Sequence, residues 1–342
     1  MLNILRKVRF KLIGKSRLSQ YVFYALGEVF LVIVGILIAV YLNNINEQRK
    51  EQREVDSLLK QVQTELDANI QRVNGLYLSY GVKDSLIYHF LNEIIPSQQI
   101  EDRYLGLYTS VTLNYGSVEI ESDAYEALMK KAEYFPERYE ELIQNLKSIY
   151  GQSANSIENF LTLIAESISD ELAYLSTTQP WYADFFYRGN ISPEVKPFIL
   201  NDVRFINQRV NYVTFSSSNL VPTVLGFKQQ AVEAYRQIEA LVPKSAAETD
   251  TKASFEYDLA DYESWLGTYR DPADSDTVRL VEEEGRLRML WRGSNFEIFP
   301  LNRQDFNVEL PFFMKVNYNA DKTVKEFTGH YPNDRFVYEK LD

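Results

Sequence analysis

Twenty-two consecutive residues, YVFYALGEVFLVIVGILIAVYL at 21–42, contain a single ionisable group, Glu28. As a helix rising about 1.5 Å per residue, this run is roughly 33 Å long and matches a hydrocarbon core of about 30 Å. No water-soluble fold absorbs such a stretch easily, so the chain is expected either to be anchored in a membrane or to lose the segment as a signal. A cleaved signal has an apolar region of about 7–15 residues and a small-x-small cleavage site. Here the run is longer and ends in Tyr41-Leu42-Asn43-Asn44. It is expected to remain as a transmembrane helix over 21–42.

Charge sets the orientation. Residues 1–20 form a basic arm holding Arg6, Lys7, Arg9, Lys11, Lys15 and Arg17 with no acid, so the other 322 residues carry −18 of the net −12. Six basic residues precede the span, against Arg49, Lys50, Arg53 and Lys60 in the 20 residues after it. The positive-inside rule then keeps the arm in the cytoplasm and exports residues 43–342. The arm also interleaves Leu2, Leu5, Val8, Leu12 and Ile13 with its basic residues, a pattern that suits an anionic leaflet as well as a plain topology signal. The acidic remainder disfavours nucleic acid as a partner. The absence of cysteine removes disulfides, thiolate metal sites and cysteine nucleophiles together.

Two details inside the span carry functional readings. Gly27, Leu31, Gly35 and Ala39 recur every four residues and place three small side chains on one stripe, which suits close helix–helix contact in lipid. Glu28 neighbours that stripe. An intramembrane carboxylate is costly. It is read here as an interfacial group, a partner contact or a proton-handling group. Gly27, Glu28, Gly35 and Ala39 are thus the candidate contact residues of the membrane helix, for a protein partner or for self-association.

Beyond Asn43 the segment NNINEQRKEQRE is polar all round and reads as a solvated helical neck. From Val55, apolar residues at steps of three and four predict an amphipathic helix through Leu76, with a second helix over 77–95. Further helices are expected over 102–114, 122–134, 136–172 with Gly151 as a kink, 193–215 opened by Ser192-Pro193, and 219–241. Together they predict an antiparallel helical bundle, the neck and bundle covering 43–243. Residues 244–253 (KSAAETDTKA) read as a linker. After it the period becomes two. Eight short strands are expected, at 266–270, 277–283, 286–291, 295–300, 305–309, 312–318, 323–330 and 335–340, with turns at Glu284-Gly285 and at 319–322. The expected class is α+β and multi-domain, ending in an antiparallel up-and-down β-barrel over 254–342 that needs no helical layer.

Two resemblances follow from particular residues. Tyr24-Ala25-Leu26-Gly27-Glu28-Val29, Val34-Gly35-Ile36-Leu37-Ile38-Ala39-Val40, Asn43-Asn44-Ile45-Asn46-Glu47 and, later, Ser122-Asp123-Ala124-Tyr125-Glu126-Ala127-Leu128 make residues 10–150 resemble an uncharacterised family of single-span bacterial envelope proteins, a domain of unknown function. Ile45 stands where that family usually has tryptophan. The resemblance implies a bacterial inner-membrane protein with periplasmic domains, and no activity. Tyr262, Leu266-Gly267-Thr268-Tyr269, Glu284-Gly285-Arg286-Leu287, Phe299-Pro300-Leu301, Asp305-Phe306 and Lys340-Leu341 make residues 258–342 similar to the lipocalin-like β module appended to penicillin-binding or β-lactamase-like serine hydrolases. Such modules are accessory, and no catalytic residue carries over.

A search for chemistry finds little. Ser57-Leu58-Leu59-Lys60 matches S-x-x-K, but the serine–aspartate–asparagine and lysine–threonine–glycine elements that accompany it are missing. Asp271, Asp274 and Asp276 lack the spacing and glycine of an EF-hand loop and read as an acidic hairpin turn; Glu282-Glu283-Glu284 reads as a solvated strand end. His89 is expected in packed core, and His330 ends a strand without an evident partner. No catalytic residue, cofactor or metal is expected. The expected role is that of a membrane-anchored extracytoplasmic interaction or scaffold protein, with a small ligand for the β module left open. The alternatives are an accessory part or regulator of an envelope hydrolase, and a proton-coupled partner of a membrane complex acting through Glu28.

Overall fold

The computed structural model describes residues 17–92, 99–131, 135–242, 252–310, 312–331 and 334–341. The arm through residue 16, the linker over 244–251, and the helix ends expected at 93–95 and 132–134 lie outside the described residues. The chain divides into two compact units, Met1–Leu58 and Leu59–Asp342.

Helix α1 spans Arg17–Leu91. In the first unit it carries the apolar run, whose large side chains are exposed all round: Leu31 is 69% and Leu37 62% accessible. An apolar helix without a packing partner is what a hydrocarbon solvent accommodates, because its backbone polar groups are satisfied internally. This segment is long and apolar enough to cross a membrane.

In the second unit α1 becomes one-sided. Leu59, Val62, Leu66, Ile70, Val73, Tyr77, Tyr80 and Ile87 are buried, a stripe at steps of three, four and seven. The break expected at residue 77 is absent. Neither Gly75 nor Gly81 ends the helix, because the buried stripe runs straight past both. Two polar side chains on that stripe organise the neighbouring chain. Asn69 pairs with the backbone of Glu121 through both of its amide atoms, at 2.8 and 3.0 Å. The Glu65 carboxylate accepts the backbone N–H groups of Ala124 and Tyr125 at 2.7 and 3.2 Å, capping the helix that begins at Asp123.

The remaining helices are α2 (Leu105–Thr112), α3 (Asp123–Met129), α4 (Glu140–Lys147), α5 (Ala154–Thr178), α6 (Tyr182–Phe186), α7 (Val195–Asn201), α8 (Val203–Phe215) and α9 (Val221–Leu241). Widened π-turns at Ser148–Ser153 and Ser216–Leu220 join α4 to α5 and α8 to α9, so helical backbone is continuous where a kink and a loop were expected. Pro222 sits just after the second of these turns; it has no N–H to donate, and the wider turn accommodates that loss. The single helix expected over 193–215 is broken at Asp202, which adopts extended backbone and accepts the Phe205 N–H at 3.0 Å as an N-cap.

The C-terminal part is one antiparallel sheet of nine strands: β1 (Gly267–Arg270), β2 (Thr277–Glu283), β3 (Arg286–Trp291), β4 (Ser294–Glu297), β5 (Phe299–Pro300), β6 (Asp305–Asn307), β7 (Phe313–Tyr318), β8 (Val324–Tyr331) and β9 (Asp334–Lys340). Their order, β4-β3-β2-β1-β9-β8-β7-β6-β5, pairs every sequential neighbour except β4 with β5 and joins first to last. The sheet is therefore nearly closed: Ile298 is the single residue between edge strands β4 and β5, and its N–H extends the β3–β4 ladder by reaching the Leu287 carbonyl at 3.0 Å. The strand expected over 295–300 divides at Ile298 for this reason. Two hairpins turn through paired positive φ: Glu284 and Gly285 at 52° and 76°, and Arg292 and Gly293 at 49° and 80°. Both fit the type I′ geometry that matches strand twist.

Helices nonetheless pack on the sheet. The Tyr77 hydroxyl donates to the Phe312 carbonyl at 2.7 Å, and its ring lies 4.9 Å from Phe313. A side chain at Gly81 would place its Cβ 2.6 Å from the Phe313 ring, so glycine is what permits this approach. Arg236 of α9 grips Glu297 through two nitrogens at 3.0 and 2.7 Å. Tyr77 and Arg236 meet the barrel beside its seam, where short β5 and β6 leave backbone groups for outside partners.

Candidate functional site

The register separates the two ends of the barrel. Trp265, 1% exposed, seals one end; its indole N–H donates to the Tyr318 hydroxyl at 2.8 Å and its ring packs 5.4 Å from Phe306. At the other end, beside the β1–β2 and β3–β4 turns, lies a cavity of about 230 Å³. Val278, Met289, Met314 and Phe327 form its floor and walls. Trp291, Phe312, Phe336 and Tyr338 line it with aromatic rings, and Asp271, Asp274, Asp334 and Arg292 reach it from the turns. Strand alternation places these inward side chains, and the wall depends on one glycine. A Cβ at Gly329 would fall 2.0 Å from Phe336, so only the bare backbone leaves room for that ring. Two other hollows of about 540 Å³, one beside Lys340 and one beside Lys196, are open surface grooves.

Asp276 ties the cavity's rim together. One of its carboxylate oxygens accepts the Trp291 indole N–H at 2.8 Å, the Arg292 guanidinium at 3.0 Å and the Tyr338 hydroxyl at 3.0 Å. The Trp291 hydrogen bond first, then Tyr338 and Arg292, hold this carboxyl below its usual range. Burial, aided by the Asp276 charge, pushes the Tyr338 phenol up. Asp276 is therefore a fastening, fully used by the protein. Its neighbours Asp271 and Asp274 each accept one backbone N–H of their own turn, from Ala273 and Asp276 at 2.7 and 2.8 Å. Among the described residues no group of acids and histidines is arranged to hold a metal ion.

His330, which had no evident partner in the sequence, has one 246 residues away: its Nδ1 lies 2.9 Å from a carboxylate oxygen of buried Asp84 on α1. Arg335 of β9 covers Tyr88 at 4.0 Å and reaches the Ser85 carbonyl at 3.3 Å. His89 is half-buried and not in the core; its Nδ1 meets the Ser85 carbonyl at 2.7 Å. Ser57, the serine of the S-x-x-K match, is exposed on a helix.

On the apolar segment of α1, Gly27, Glu28, Gly35 and Ala39 are all exposed, and nothing lies within 4 Å of where a side chain at Gly27 or Gly35 would begin. At about 100° per residue, Gly35 and Ala39 fall within about 20° of Glu28, one on each side, while Gly27 lies about 100° away. The helix thus lines up Glu28, Gly35 and Ala39 and leaves Gly27 at the margin.

The cavity aromatics were not singled out from sequence; their signal is the alternation in 286–291 and 335–340. Buried Lys228 was also missed, although it interrupts the apolar face Val224, Leu225, Phe227, Ala231, Val232 of α9. No family model matches this chain, no curated protein matches it, and no solved structure matches it.

Proposed function

We propose that this is a membrane-anchored extracytoplasmic interaction or scaffold protein without catalytic activity of its own. It sits as a single-pass protein in the bacterial inner membrane, N-terminus in the cytoplasm, with an antiparallel helical bundle and a lipocalin-like barrel in the periplasm. One observation carries this reading: the same chain holds an apolar helix whose described large side chains are mostly exposed and a barrel with a lined internal cavity. The helix supplies attachment, and the cavity supplies a place for a small ligand. The line Glu28, Gly35, Ala39 is the contact face of the span, for a second copy or another membrane helix.

Crosslinking in membranes tests the contact face. Gly35→Leu meets no obstruction within its own helix, so any loss of association arises between helices. It should reduce crosslinking yield at least severalfold. Leu37→Phe, on the opposite side of the helix, should leave the yield unchanged. Glu28→Gln keeps size and hydrogen bonding but releases no proton; it should retain association. Equal yields from Gly35→Leu and the unaltered chain would remove the contact face and leave the span as an anchor only.

A further inference from the structure

We propose that the barrel cavity binds a small organic cation, an amine or quaternary ammonium ion carrying one ring-sized apolar group. The inference rests on the ligand-binding part of the reading above and names its chemistry. Size comes first. An apolar cavity of about 150 Å³ holds benzene, so about 230 Å³ holds a ring and a small head group. The lining comes next. Phe312 and Phe336 stand at 86° with centroids 5.0 Å apart, and Phe336 and Tyr338 at 77° and 5.6 Å. Successive rings at near right angles build a box, the arrangement that surrounds an ammonium group with negative ring faces. Trp291 already carries a cation: the Arg292 guanidinium lies 4.8 Å from its centroid.

Charge selects the sign of the ligand. Of the four charged side chains that line the cavity among the described residues, Arg292 is the only cation, and Asp276 neutralises it. Asp271, Asp274 and Asp334 leave three negative charges at the mouth. Among the described residues each of these carboxylates accepts one hydrogen bond, from the backbone N–H of Ala273, Asp276 and Arg335 respectively. Among the described lining residues no further cationic side chain offsets them, and Arg335 is turned to Ser85 and Tyr88. An anion would meet these carboxylates directly, and a neutral ligand would leave the acidic mouth without a partner.

Isothermal titration of the full chain in a non-ionic detergent tests this with three probes on one benzyl skeleton. Benzyltrimethylammonium is the cation, benzyl methyl sulfone the neutral probe and phenylmethanesulfonate the anion. The cation should bind at least about tenfold more tightly than the sulfone, and the sulfonate should bind most weakly. The triple change Asp271→Asn, Asp274→Asn, Asp334→Asn keeps each side-chain carbonyl for its backbone N–H. It should weaken the cation about tenfold and shift the sulfone less than about twofold. Should the triple variant misfold by circular dichroism, a salt series on the unaltered chain replaces it: cation affinity should fall with ionic strength and sulfone affinity should not. Equal or tighter binding of the sulfone or the sulfonate overturns the cation assignment and leaves the cavity a ligand site. Binding of none of the three overturns both.

Discussion

Trp265→Ala should cost about 3–5 kcal/mol of stability, the range for deleting a buried tryptophan. The indole fills the closed end of the barrel between Phe306 and Tyr262, with centroids at 5.4 and 4.8 Å. Its removal loses that packing and leaves a void that neighbouring strands cannot close without losing register. It also strips the Tyr318 hydroxyl of its donor, although that hydroxyl still donates to the Arg303 carbonyl at 2.6 Å. Denaturant melts of the full chain in detergent, read through near-ultraviolet circular dichroism, give the number. A loss under about 1 kcal/mol would mean that Trp265 does not plug the barrel.

Lys228→Met should stabilise the protein near neutral pH, with an advantage that fades on the alkaline side. Lys228 lies between α9 and the barrel, 3% exposed, donating to Asn307 at 3.0 Å and resting 4.7 Å from the Phe299 ring. Burial pushes its ammonium from the ordinary 10.5 down to about 7, opposed by the Glu297 charge. Below about pH 7 both folded and unfolded chains are protonated here, and the folded chain bears the full cost of a buried charge. Between about 7 and 10.5 the unfolded chain keeps the proton and the folded chain gives it up, so stability rises with pH across that window. Methionine carries no charge to bury. The difference between variant and unaltered chain should therefore shrink by about 2–4 kcal/mol from pH 7 to pH 10. The cost of leaving Asn307 without its donor is independent of pH in this range and shifts the whole difference without changing its slope. A difference that stays flat with pH would show that Lys228 is not held in a charge-excluding site.

What was legible in the sequence tracks how local each signal is. The apolar run needs only its own residues and length. Leu59 through Ile87 repeat at helical spacing, and the strand alternation with Glu284-Gly285 marks the barrel. Boundaries failed where a single residue acts through distant contacts. Nothing near Leu76-Tyr77 breaks the helix, because the buried stripe continues through Tyr80 and Ile87 against partners far along the chain. Asp202 ends a helix through one side-chain cap inside an otherwise periodic run. The cavity was legible only as alternation: which inward residues line it and which fill the core depends on closure of the sheet, and closure runs through β1 pairing with β9. His330 read as isolated because its partner, Asp84, lies on another element. Asp276 read as one member of an acidic turn because the Trp291 and Tyr338 donors that bind it come from other strands.

Labelling single cysteines tests the anchored, exported arrangement most directly, because the chain contains no cysteine of its own. Asn319→Cys falls in the exposed turn between β7 and β8, and Ser19→Cys precedes the apolar run. With a membrane-impermeant maleimide added to intact spheroplasts, Asn319→Cys should label fully and Ser19→Cys only after lysis. Labelling of Ser19→Cys in intact spheroplasts, with Asn319→Cys protected until lysis, would contradict the account.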